Sequence, residues 1–209
     1  FYDLVAKDDL KIRCRNLVDR IMTHVVDNNF LLIDLDGKPT RWGVWCPDSL
    51  NDRTDWWYER GINSLQILSF LEAAIHMTGN EKYEKAYQYL IKEHGYAQNM
   101  VQQKMYGPFE INHSDDELAF LPYYILLRYA KDPELLKIYR KSLERSWRVE
   151  QPDRNPLWNY IASASLGTEY DLDIAIDELR LIPMDMIDWR VENSFRWDIK
   201  INPMSDRFK

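Results

Sequence analysis

Two kinds of helical pattern alternate along this chain, and that alternation limits its possible folds more than any other feature. From Ser114 to Tyr129 the residues are apolar almost all round, with "LAFLPYYILL" at the centre. From Pro133 to about Trp147 the apolar residues fall on one stripe, Leu135, Ile138, Tyr139 and Leu143. A helix apolar on every side is buried between neighbours, whereas a striped one covers a core from outside. An earlier pair repeats the order: a helix over Trp57 to Met77, the turn "TGN", then a striped helix from Glu81 to His94. "NPLWNYIASASL" and "DLDIAIDELRLI" form a weaker third pair, and a leading helix runs from Asp8 to about Asn28 with Leu10, Leu17, Val18, Ile21, Val25 and Val26 on one face. The pattern predicts an all-α protein of helical hairpins in two layers. The spacing of the second and third striped segments is too irregular for a tetratricopeptide array, whose period is about 34 residues.

At 209 residues the chain reads as a single domain with a sizeable core, ending in an irregular tail over 183–209. Its opening, "FYDLVAKDDL", reads as the end of one element running into another, so a piece of a longer protein is expected. The net charge of −7, with acids and bases intermixed, argues against nucleic acid as a partner, since phosphate backbones attract concentrated Lys and Arg. No stretch is apolar enough to insert in a membrane. Cys14 and Cys46 lack zinc-site spacing, so neither a metal nor another cofactor is expected. Asp34 and Asp36 in "DLDG" resemble the start of a calcium loop whose remainder is missing.

Between the leading helix and the first pair lies a long connection, "LIDLDGKPTRWGVWCPDSLNDRTDWWYERG", which carries four of the eight tryptophans. Connections of that length are uncommon unless they build a functional surface. Together with "INHSDDELAFLPYYILL", this stretch resembles the six-hairpin glycosidase-like superfamily, in particular its Bacteroides-type members. The resemblance implies an (α/α) toroid, complete or incomplete, with loops before the inner helices lining a glycan cleft. It further implies an oligo- or polysaccharide partner, glycoside hydrolase-like activity, and a periplasmic or extracellular location.

The candidate site residues lie in those loops. The first supplies Trp42, Trp45, Trp57, Tyr58, Glu59, Arg60 and Asn63, the second Tyr106, His113, Asp115, Asp116 and Glu117, the third Asn155, Trp158, Asn159 and Tyr160. Glycoside hydrolysis needs one carboxylic acid and one carboxylate; Glu59 paired with Asp115 or Asp116 is the expected catalytic set. Trp42, Trp45, Trp57 and Tyr58 offer ring faces for sugars, and Arg60, Asn63, His113, Trp158 and Asn159 complete the substrate-binding set. A plainer account exists for the second loop: Ser114 at the N-cap and Glu117 three residues on form a capping box, with Asp115 and Asp116 favoured by the helix dipole. Two other functions fit the same residues. One is a non-catalytic glycan-binding or scaffold module. The other is a polysaccharide lyase using His113 and Tyr58 or Tyr106, with Arg60 neutralising a uronate.

Overall fold

The computed structural model describes residues 2–103 and 113–181. Among the described residues, ten α-helices and one small hairpin of strands make an all-α fold. α1 (Tyr2–Val5) and α2 (Asp8–Asp27) lead into β1 (Leu31–Ile33) and β2 (Pro39–Val44), followed by the short α3 (Pro47–Leu50). Three hairpins follow: α4 (Arg60–Thr78) with α5 (Glu81–Lys92), α7 (His113–Tyr129) with α8 (Pro133–Glu150), and α9 (Pro156–Leu166) with α10 (Leu172–Leu181). The short α6 (Tyr96–Asn99) and a 3₁₀ turn over Met100–Gln102 come between the first and second.

Local chemistry sets the ends of these helices. The Asn80 side chain accepts from the Lys82 N–H to start α5, Asp132 accepts from Glu134 and Leu135 ahead of Pro133, and Asn155 accepts from Leu157 ahead of Pro156. Gly79 and Gly167 stop α4 and α9 in the left-handed conformation that glycine adopts without strain.

Packing arranges the hairpins in two layers. α4 lies against α2, α5 and α7, and α7 in turn meets α9, so α4, α7 and α9 form an inner row. α5, α8 and α10 back them, and the Tyr87 and Tyr139 hydroxyls, 2.6 Å apart, tie α5 to α8. α4 is buried on most of its surface, Leu65, Ile67, Leu68 and Leu71 completely, as its unstriped sequence predicts. The buried tyrosines find partners for their hydroxyls: Tyr96 donates to the Trp45 carbonyl, and Tyr123 lies 2.7 Å from Ser142 and 3.0 Å from Ser146.

Three sequence expectations are corrected. The long connection is not all loop: its first part pairs as an antiparallel hairpin, Leu31 opposite Val44, and "DLDG" is the turn between the strands, with the Asp34 N–H donating to the Lys38 carbonyl. The stripe on α2 is only half used, for Val25 is buried while Leu10, Leu17 and Ile21 face outward. α7 is not enclosed on all sides. Leu118, Leu121 and Tyr124 are exposed, and an apolar groove of about 470 Å³ opens along α4, α7 and α9 between Phe70, Leu121, Tyr124 and Leu157. Among the described residues there are three hairpins, half the number of a six-hairpin ring.

Candidate functional site

The inner helices begin at one end of the molecule, and three observations locate that end. Gly61, in the first turn of α4, lies so close to the turn after α6 that a Cβ there would overlap the backbone of Gln102 and Gln103. The Gln103 amide donates to Ser146 in the last part of α8 (3.1 Å). His113, the first residue of α7, places its Nδ1 3.5 Å from the carboxylate of Asp153, in the turn that leads from α8 into α9. The starts of α4, α7 and α9 and the end of α8 are therefore neighbours.

A compact group of titratable side chains occupies this end. Asp116 projects inward from the first turn of α7 and is only 1% exposed; Glu150, the last residue of α8, is 5% exposed. His113 stands beside them with its side chain 55% exposed, its Nδ1 3.6 Å from Asp116 Oδ2. One donor atom from each of His113, Asp116 and Glu150 lies within 4.8 Å of the others. Helix geometry brings His113 and Asp116 together, since residues three apart share a face. Glu150 joins them because α8 runs back antiparallel along α7. Asp116 and Glu150 each have further contacts with neighbouring groups.

The sequence singled out His113 and Asp116 but missed Glu150 and Asp153. Glu150 sits at the end of a striped outer helix, where an acid ordinarily reads as solvated. The available signal was its position: the C-terminal residue of an outer helix must return to the end where the inner helices start. Asp115, beside the pair, is half-buried and Glu117 is exposed. Ser114 is exposed and, among the described residues, lies within α7.

Around this centre the other expected site residues divide. Trp57 (44% exposed) and Tyr58 (53%) present their rings at the start of α4, edge to face at 5.3 Å. Trp57 borders a cavity of about 350 Å³ whose other walls include Arg60, Gln98, Asn99 and Gln102. Glu59 is half-buried at the position that precedes α4, and its carbonyl accepts from the Asn63 N–H. Trp42 is exposed on β2, with the Arg41 guanidinium 4.6 Å from its ring centre. Tyr160 is exposed on α9 and Asn155 is its cap. Tyr106 lies outside the described residues.

Five of the expected substrate contacts are structural instead. Trp45 is buried against Phe70 and donates its indole N–H to Gln66. Asn63 is buried and donates to the Val44 carbonyl, fastening β2 to α4. Trp158, 3% exposed, stacks on Phe120 at 4.6 Å. Asn159 accepts the Trp147 indole N–H and donates to the Asp171 carbonyl. The Arg60 guanidinium donates from Nε to the Leu50 carbonyl and from a terminal nitrogen to that of Asn51, which holds α3 against α4. Except for the buried Trp158 indole N–H, which has no hydrogen-bond partner among the described residues, these polar groups are bonded within the fold, where an unmet bond would be costly.

No helix among the described residues is long and apolar enough to cross a membrane. Comparison of the chain with protein-family models, curated proteins and solved structures found no match.

Proposed function

We propose that this chain is a carbohydrate-active domain of glycoside hydrolase-like chemistry, with its glycan lying across the end where the inner helices begin. The observation that carries this reading is the meeting of two carboxyl groups, Asp116 and Glu150, with exposed rings on the same end of the fold. A sugar offers hydroxyls to polar groups and C–H faces to aromatic rings, and Trp57 and Tyr58 supply rings at this end. The catalytic pair differs from the one expected from sequence: Asp116 with Glu150 takes the place of Glu59 with Asp115 or Asp116. One carboxyl would protonate the leaving oxygen while the other attacks the anomeric carbon, and water deprotonated by the first would then displace the second and release the sugar. One oxygen of each carboxyl lies within 4.8 Å of the other's, short of the roughly 6.5–9.5 Å that inversion requires, which favours the retaining route. The lyase alternative has less support, because Arg60 already serves two backbone carbonyls.

The test is a screen of polysaccharides for both binding and product, repeated with Trp57→Ala. The expected result is release of reducing ends with retained anomeric configuration, and at least a tenfold rise in KM in Trp57→Ala. Binding that depends on Trp57 without any product identifies a glycan-binding module instead. Neither binding nor product across the panel overturns the reading.

A further inference from the structure

We propose that His113, Asp116 and Glu150, with Asp153 as a fourth donor, form a binding site for a divalent metal ion of borderline hardness, Zn²⁺ or Mn²⁺. The donors come from two helices and the turn that follows, so the fold itself gathers them. His113 and Asp116 are one turn apart on α7, Glu150 closes α8, and Asp153 lies three residues further on. The spacing is that of ligands, not of hydrogen-bond partners. His113 Nδ1 is 3.6 Å from Asp116 Oδ2 and 3.5 Å from Asp153 Oδ2. Direct N–H···O bonds run about 2.7–3.2 Å. Donors that share one ion at about 2.0–2.2 Å stand roughly 3–3.5 Å apart when adjacent and about 4–4.4 Å when opposite. The three mutually close donors lie within 4.8 Å of one another, so side-chain movements on the order of an ångström bring them to one centre.

The donor types choose the ion. Three carboxylates are hard ligands and one imidazole is borderline, a set that suits Zn²⁺ or Mn²⁺ better than a thiolate-seeking metal. Asp116 and Glu150 hold other contacts as well. The two helices meeting here make the site stiff, and the exposed imidazole gives the ion a route in. When filled, the site uses the same two carboxyl groups as the acid pair of the proposed hydrolysis, so metal binding and that reaction compete. The site itself stands on geometry alone and does not depend on the glycan reading.

The experiment is calorimetric titration of the chelator-stripped full chain with Zn²⁺, Mn²⁺ and Ca²⁺ separately, in the absence of any sugar. One equivalent of Zn²⁺ or Mn²⁺ is expected to bind, with Kd raised at least tenfold in both Glu150→Gln and His113→Ala. His113 and Asp153 are at the surface, so His113→Ala and Asp153→Asn keep the test valid if the Glu150 variant fails to fold. No saturable binding by Zn²⁺ or Mn²⁺, or binding unchanged in His113→Ala and Asp153→Asn, overturns the proposal. Binding of Ca²⁺ alone overturns it too. Hydrolysis plays no part in the readout, so failure of the metal site and failure of the glycan reading are seen separately.

Discussion

At the scale of single residues, side chains of one type are taken up by the interior at some positions and left at the surface at others. Trp45, Trp158 and Asn159 have the types a sugar site uses, yet all three are buried, Trp45 and Asn159 hydrogen-bonded within the fold and Trp158 stacked on Phe120. Nothing in their local sequence separates them from Trp57, which is exposed. Glu72 is the residue whose surroundings give a clear pH dependence. It is buried on α4, and loss of hydration raises its carboxyl pKa, with the charge of Glu84 adding and that of Lys131 opposing. A carboxyl with a raised folded pKa binds its proton more tightly in the folded state, so stability falls as pH rises from the ordinary carboxylate value through the raised one. Glu72→Gln removes the charge. It is expected to raise Tm at pH 7 and to give little gain near pH 4; an equal shift at both values would contradict this cause.

At the scale of elements, periodicity located the helices well because packing demands differ between inner and outer rows. The caps at Asp132 and the stop at Gly79 were legible for the same local reasons that hold in the structure. The hairpin of strands was not, since three paired residues in β1 are too few for an alternating pattern, and Gly and Pro around them read as loop. Contact between α4 and the turn after α6 was equally invisible, because it depends on Gly61 meeting a segment about forty residues away. Gly61→Ala is expected to cost about 1–3 kcal/mol, the usual range for overpacking. Chemical denaturation measures it; a change under about 0.5 kcal/mol would show that the turn yields freely. Leu68→Ala, wholly buried on the same helix, should cost about 2–5 kcal/mol, whereas Leu121→Ala on the open groove should cost far less.

At the scale of the whole molecule, two layers of hairpins account for why residues distant in sequence share one end. Parallel inner helices bring their starts together, and each outer helix returns its last residue to that place. The sequence allowed the first half of this argument, which is how His113 and Asp116 were found. The second half needs the turn from α8 to α9, and with it come Glu150 and Asp153. The inner row also leaves its far side open and apolar, which an unstriped sequence pattern cannot distinguish from full enclosure.

The central claim is that Asp116 and Glu150 are the working carboxyl pair at a glycan site. Its most direct test is turnover of the cognate polysaccharide by Asp116→Asn and Glu150→Gln, with circular dichroism confirming that each remains folded. The account predicts a loss of at least a thousandfold in kcat in both variants, with glycan affinity within a few-fold of the parent chain. Full turnover in either folded variant would contradict it.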